Sequence, residues 1–212
     1  MASVEGKGET VLVTASRAGF IGSTLVRHLL DRGYNVHAGV LNPDDKAETD
    51  HLLALAAGAG EGRLSIFRCD LFDGAALLDA ARGCPGVFHL ASPCIIDAVS
   101  DPQKQLMVPA VEGTLNVLRA AKEAGGVRRV VVTSSISAIV PSPGWPAGEV
   151  RDGRCWTDVD YCEENGDDTQ PGLVRAKVVG SKKLIAMGMQ FSPMEKIIRD
   201  AVESLKSRGY IS

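Results

Sequence analysis

The sequence lacks the features that mark secreted, membrane-spanning and metal-binding proteins. Its five cysteines form no Cys-x-x-Cys pair and lie far from any histidine cluster with zinc-ligand spacing. The first ten residues, MASVEGKGET, do not contain the apolar run of a signal peptide, and no apolar run approaches the length of a membrane span. We therefore expect a cytoplasmic protein with reduced thiols and no metal site.

The sequence also has little excess charge of either sign. It contains 23 basic and 26 acidic side chains among 212 residues, and the resulting net charge of −3 gives no general attraction to nucleic acids or anionic lipids. Apolar residues make up 45% and charged residues 23%, which is typical of a globular protein. We expect neither a nucleic-acid partner nor a membrane partner, and the oligomeric state stays open.

Short β-branched segments alternate with helical segments from Thr10 to about Ser135. This alternation is typical of repeated βαβ units and predicts an α/β fold, a Rossmann-like doubly wound parallel sheet with strand order 3-2-1-4-5. The predicted strands are Val11 to Thr14, Tyr34 to Val40, Leu64 to Cys69, Val87 to Ala91 and Val127 to Thr133.

The second part of the chain is rich in proline and glycine after Ser137, which predicts a long loop. A polar, turn-rich segment follows from Tyr161 to Gly172. The last helix has a clear start signal, because Ser192 precedes a proline and is followed three residues later by Glu195. We expect this helix to end near Gly209.

The turn after the first predicted strand carries part of a dinucleotide-binding glycine motif. Gly19 and Gly22 have the required spacing, and they lie between a strand and an amphipathic helix. Ser16 stands where the first glycine would be, and it resists a left-handed backbone by about 1 kcal/mol or more. The turn predicts nucleotide binding, and the alternative is a glycine pair that only packs the helix against the strand.

The end of the second predicted strand bears on the choice of cofactor. An NAD enzyme usually has an acidic residue there, which binds the ribose 2′-hydroxyl, whereas this sequence has Leu41 and Asn42. Arg17 and Lys46 are close enough along the chain to meet a 2′-phosphate. These residues favour NADP, although both could simply be solvated surface charges.

Polar residues also follow the other predicted strands, at the edge where ligands of open α/β sheets bind. Asp70, before Leu71, either accepts a hydrogen bond from the adenine amino group or shapes the turn. Ala91 and Ser92 follow the fourth strand, in which His89 is expected to be a buried histidine with satisfied hydrogen bonds. The fifth strand ends in three hydroxyl residues, Thr133, Ser134 and Ser135.

Four segments, in this order along the chain, closely resemble the plant cinnamoyl-CoA reductase and dihydroflavonol reductase group, which belongs to the extended short-chain dehydrogenase/reductases. The segments are GFIGSTLVRHLLDRGY, VFHLASP, DPQKQLMVPAVEGTLNVLRAA and RRVVVTSSISA. The resemblance runs continuously from Thr10 to about Gly166.

The resemblance implies a Rossmann domain that holds NADP and a C-terminal lobe that shapes a pocket for an aldehyde, ketone or thioester. It also implies a serine that holds the substrate carbonyl, for which Ser135 is the best match and Ser134 the next. The predicted cofactor-binding residues are Ser16, Arg17, Gly19, Phe20, Ile21, Gly22, Lys46, Asp70, Leu71, Ala91, Ser92 and Thr133.

The sequence departs from this group where a Tyr-x-x-x-Lys helix supplies the proton donor and its lysine partner. None of the three tyrosines, Tyr34, Tyr161 and Tyr210, has a lysine four residues later. The segment from Leu173 to Lys177 has the spacing but not the tyrosine, which we interpret as coincidence. The residues after the turn-rich segment resemble the family's C-terminus, so the resemblance implies that an internal block is missing near Gly166 and Asp167.

Two further departures concern the cofactor. Ser16 replaces a glycine of the family motif, and Leu41 stands where the family has a basic residue. We expect weak NADP binding for both reasons. The predicted domains are an NADP-binding domain over residues 1–160 and a remnant of the substrate lobe over residues 161–212.

Two hypotheses about function remain. The chain is an NADP-dependent reductase of a phenylpropanoid-like small molecule, impaired by the loss of the tyrosine and lysine. Alternatively, it is a catalytically silent remnant that binds a nucleotide or a protein partner. A serine hydrolase is disfavoured, because the sequence has no Gly-x-Ser-x-Gly elbow between a strand and a helix.

Overall fold

The computed structural model describes residues 6, 8–15, 19–93, 99–149, 151, 154–165, 186, 188, 190 and 192–207. The chain forms two compact units, residues 1–133 and residues 134–212. The domain boundary predicted after residue 160 lies within the second unit, and it stays a prediction about functional lobes. No helix of the described residues is both long enough and apolar enough to span a bilayer.

The first unit is built on a parallel sheet whose strand order is β3-β2-β1-β4-β5, which confirms the predicted doubly wound α/β fold. Each ladder is parallel, as βαβ connections require. The strands are β1 (Thr10–Thr14), β2 (Asn35–Val40), β3 (Leu64–Arg68), β4 (Gly86–His89) and β5 (Arg129–Val132).

The last two strands are shorter than the sequence predicts. The fifth was expected from Val127, but β5 begins at Arg129, which pairs with Gly86, the first residue of β4. Val127 precedes this first pair and so has no partner in the ladder. The fourth was expected to reach Ala91, whereas β4 ends at His89. β-branched composition thus overestimates strands, because pairing ends where the neighbouring strand ends.

Helices cover both faces of the sheet. One apolar core lies between the sheet and the first two helices, and a second lies between the sheet and the next two. Leu29 and Leu30 are buried in the first core, and Leu77 and Val117 in the second. The helices are α1 (Phe20–Asp31), α2 (Lys46–Ala57), α3 (Gly74–Ala81) and α4 (Val108–Glu123), the last preceded by a π-helical turn (Gln103–Met107).

The second unit contains a 3₁₀ turn (Ile136–Ala138), a short helix α5 (Val159–Asn165) and the final helix α6 (Met194–Ser207). Cys155 is buried, and its Sγ lies 3.5 Å from the carbonyl oxygen of Ile139. The predicted final helix is confirmed. The expected end of this helix at Gly209 lies outside the described residues, and so does the position near Gly166 where a block is predicted to be missing.

Candidate functional site

The N-terminus of α1 lies at the carboxyl end of β1, with Gly19 as the residue before the helix. Gly19 has extended backbone angles (φ −65°, ψ 151°), and its carbonyl oxygen accepts the Ser23 N–H at 3.0 Å. The first turn of α1 carries no acidic residue. Unpaired N–H groups and the positive end of the helix dipole make such a helix start suitable for an anion.

Gly22 allows α1 to lie close to the end of β1. A Cβ atom at this position would lie 2.9 Å from the Cβ of Ala15, which is closer than side-chain atoms approach one another. This contact explains one glycine of the motif by packing alone. The approach also keeps the α1 N-terminus at the sheet edge, so the packing alternative and the predicted nucleotide role are compatible.

Three further predicted cofactor residues are exposed. Phe20 and Ile21 are exposed in the first turn of α1, and Lys46 is exposed at the first position of α2. Ser16 and Arg17 lie outside the described residues. Their predicted contacts with the cofactor therefore stay predictions.

Glu48 is a buried acidic residue of α2 whose carboxylate lies beside the end of β2, and it was not among the residues predicted from the sequence. It lies in the first turn of α2, is 7% exposed, and its Oε2 accepts the N–H of Leu41 at 2.9 Å and that of Asn42 at 3.1 Å. Asp45 caps the same helix by accepting the N–H of Ala47 at 2.9 Å. The spacing Asp45-x-x-Glu48 is close to a capping box and was the available signal.

A directional chain of hydrogen bonds joins the ends of β1 and β4 to α4. The N–H of Ala91 donates to Thr14 Oγ1 at 3.4 Å, and Thr14 Oγ1 lies 2.8 Å from His89 Nδ1. The Thr114 hydroxyl donates to the Ala110 carbonyl at 2.6 Å and accepts from His89 Nε2 at 3.2 Å. Because the Thr114 hydroxyl hydrogen is used on the Ala110 carbonyl, Nε2 of His89 is a donor. Burial lowers the pKa of the imidazole from its usual 6.5 and so favours the neutral ring, in which Nδ1 accepts from the Thr14 hydroxyl.

The segments after β3 and β4 hold four of the predicted cofactor residues. Asp70 Oδ1 accepts the N–H of Phe72 at 3.0 Å, which is the turn role that the sequence left open beside adenine recognition. Leu71 packs against α4 at Gly113, where a Cβ would lie 2.8 Å from the Leu71 Cδ1. Ala91 is buried and Ser92 is exposed. Recognition of adenine by Asp70 stays a prediction.

Thr133 ends the first unit, and the predicted catalytic serine belongs to the second. The N–H of Thr133 donates to the His89 carbonyl at 3.1 Å. Within the second unit, Ser135 Oγ accepts the Ser137 N–H at 3.2 Å and donates to Ser137 Oγ at 3.2 Å. Ser135 therefore caps the 3₁₀ turn, and its side chain is exposed. Ser134 is exposed as well.

The residues at the sheet edge fit one part of a dinucleotide better than another. Among the described residues, the uncapped start of α1 and the close approach at Gly22 fit a diphosphate, because neither Gly19 nor Gly22 carries a side chain. At the end of β2, the described residues fit a 2′-phosphate less well, because the Leu41 and Asn42 N–H groups already donate to the Glu48 carboxylate. The parallel sheet and the glycine turn together define a Rossmann-like α/β protein.

The chain belongs to the NAD dependent epimerase/dehydratase family, whose sequence profile matches residues 12–155. Cinnamoyl-CoA reductase 1 of Petunia hybrida is 47% identical over 156 residues, which cover 74% of this chain and 44% of that protein. Dihydroflavonol 4-reductase of Zea mays is 46% identical over 155 residues, which cover 72% of this chain and 41% of that protein.

The solved structure of a plant reductase is also similar to this chain. Vestitone reductase from alfalfa (Medicago sativa) is 33% identical, with a TM-score of 0.57, over 73% of this chain and 44% of that chain. These findings confirm the resemblance to the plant reductase group. The chain spans less than half the length of each of these three relatives.

Proposed function

We propose that the chain is the nucleotide-binding part of an NADPH-dependent reductase of the cinnamoyl-CoA and dihydroflavonol reductase type. The observation that carries this proposal is the turn from β1 through Gly19 and Gly22 into α1, in a chain 47% identical to a cinnamoyl-CoA reductase. The proposed substrate is a phenylpropanoid-like thioester, aldehyde or ketone. We also propose a cytoplasmic location.

The proposed chemistry is reduction of a carbonyl group. When bound, NADPH supplies a hydride to the carbonyl carbon. Ser135, with its exposed hydroxyl, is proposed to donate a hydrogen bond to the carbonyl oxygen as negative charge develops there. A serine hydroxyl is a poor acid near neutral pH, and a positioned proton donor contributes roughly 10² to 10⁴ in rate. We therefore propose that turnover by this chain is low.

The experiment measures binding and turnover separately. NADPH binding is titrated by calorimetry, and NADPH oxidation is followed with hydroxycinnamoyl-CoA thioesters and dihydroflavonols as substrates. The expected result is saturable NADPH binding with turnover far below ~1 s⁻¹, the lower end of typical enzyme rates. Absence of NADPH binding contradicts the proposal. Turnover at ordinary rates that Ser135→Ala abolishes means that another group donates the proton.

A second candidate function is a catalytically silent nucleotide-binding protein. The observation that favours it is the absence, in the whole sequence, of a tyrosine followed four residues later by lysine. Insertion of the family's Tyr-x-x-x-Lys block after Gly166 separates the two candidates. Restored NADPH oxidation supports an impaired reductase, whereas binding without oxidation in the extended chain supports the silent protein.

A further inference from the structure

We propose that Glu48 is a specificity-determining residue that opposes the 2′-phosphate of NADPH and leaves the adenosine ribose site better suited to a free 2′-hydroxyl. This inference rests on the proposed function, because it concerns the same nucleotide site. It predicts that this chain binds NADPH weakly and discriminates little against NADH.

The first step is the position of the Glu48 carboxylate. In doubly wound folds the adenosine ribose lies at the carboxyl end of β2, where an acidic side chain binds the 2′-hydroxyl. Glu48 comes from α2, but its Oε2 lies 2.9 Å from the backbone nitrogen of Leu41, the first residue after β2. The helix therefore supplies an acidic group at a place where the strand itself ends in Leu41 and Asn42.

The second step concerns the two backbone N–H groups at this place. Successive N–H groups that point to one spot form a natural anion site, which a 2′-phosphate could use. In this chain the Leu41 and Asn42 N–H groups both donate to the Glu48 carboxylate, at 2.9 and 3.1 Å. The anion site is thus already filled by the protein's own carboxylate.

The third step is charge. Glu48 is 7% exposed as a residue, so its carboxylate is less screened by solvent and repels a phosphate more strongly than a surface carboxylate would. Lys46 is the nearest base along α2, but side chains two positions apart on a helix do not face each other. Lys46 is exposed, whereas Glu48 is buried against the end of β2. Among the described residues at the start of α2, the acidic Glu48 therefore lies beside the end of β2, whereas the basic Lys46 is exposed to solvent.

The test compares ligands with and without the 2′-phosphate in the full chain. Affinities for NADPH, NADH, adenosine 2′,5′-bisphosphate and 5′-AMP are measured by calorimetry for the wild type and for Glu48→Gln. Glutamine keeps the side-chain length and an acceptor for the two N–H groups but removes the negative charge. We expect Glu48→Gln to raise the affinity for NADPH relative to NADH by about tenfold, a factor that a single charge contact can supply.

Glu123→Gln is the matched control, since it removes the same charge from an exposed position at the end of α4 that leads into the start of β5, away from the β2 end. It should leave the NADPH to NADH ratio unchanged. An unchanged ratio in a folded Glu48→Gln variant overturns the inference.

If that variant fails to fold, the wild type decides with the fragments. Binding of adenosine 2′,5′-bisphosphate more than about tenfold tighter than 5′-AMP overturns the inference, and a smaller difference supports it. If the wild type binds neither dinucleotide nor either fragment, the proposed function fails and the inference with it. A strong preference for the 2′-phosphate overturns only the inference.

Discussion

At the scale of single residues, His89 shows how a buried polar side chain is accommodated without charge. Each ring nitrogen has one hydroxyl partner, Thr14 on one side and Thr114 on the other. A second ring proton would point at a hydroxyl that already donates toward the ring, so protonation must break part of the chain of hydrogen bonds. Burial of the imidazole disfavours the charged form as well.

This arrangement predicts a pH dependence of stability. Because the pKa of His89 in the folded chain lies below 6.5, the unfolded chain binds the proton first as the pH falls. The free energy of unfolding should decrease below about pH 6.5, at no more than ~1.4 kcal/mol per pH unit, until the folded-state pKa is passed. Urea unfolding at several pH values measures the slope, and His89→Gln should remove this contribution.

His28 provides the control for that measurement, because it is exposed on α1. His28→Gln should keep the wild-type slope between pH 7 and pH 5. Equal slopes in wild type and His89→Gln would show that His89 titrates alike in the folded and unfolded chain.

Individual residues were predictable where one short segment determines their surroundings. Burial of His89 follows from its place in a β-branched strand, and it is confirmed. Asp70 has a turn role that its sequence context already allowed. Glu48 was not predicted, because the N–H groups that it accepts, those of Leu41 and Asn42, lie seven and six positions before it. The residues directly after the strand, Leu41 and Asn42, are not acidic.

At the scale of elements, the close approach of neighbouring strands explains why position 39 is a glycine. A Cβ there would lie 2.8 Å from the Cβ of Cys69, just after β3, and 3.3 Å from the carbonyl oxygen of Val13 on β1. Cys69 is itself buried, and its burial raises the pKa of the thiol to about 12, so it is packed as an apolar group. The space beside Gly39 is therefore closed on both sides.

We predict that Gly39→Ala destabilises the first unit by about 1–3 kcal/mol, the usual cost of adding a methyl group to a packed interior. Urea unfolding measures the change. Gly74→Ala is the matched control, because a Cβ at Gly74, the first residue of α3, meets nothing within 4 Å. If Gly39→Ala is as stable as Gly74→Ala, the strands can separate enough to accept the methyl group.

The order of elements was more predictable than their limits. Strand order follows from right-handed βαβ connections, and it is confirmed in β3-β2-β1-β4-β5. The ends of a strand depend on its partner strand. Val127 was predicted to belong to the fifth strand, but it precedes the first pair of the β4 and β5 ladder. Pairing of this kind is not encoded by the segment alone.

At the scale of the whole molecule, β5 is the most exposed strand of the sheet. It forms one edge of the sheet, and within the described residues only β4 pairs with it. Val131 is 42% and Val132 48% exposed. On the α1 face of the sheet, a cavity of about 470 Å³ lies beside Phe88 and Val131. An apolar edge strand with free N–H and C=O groups is a template for pairing with another chain.

We therefore predict concentration-dependent association through β5, because pairing satisfies its free backbone groups and buries its valines. Val132→Lys should shift the chain toward monomer, since a charged side chain on an edge strand makes strand pairing costly. Light scattering after size-exclusion chromatography, over a range of protein concentrations, measures the effect. Val159→Lys is the matched control, because Val159 is 62% exposed on α5 and belongs to no strand. If both variants reduce association equally, the effect follows from net charge rather than from the edge of the sheet. A wild type that stays monomeric at every concentration would contradict the prediction.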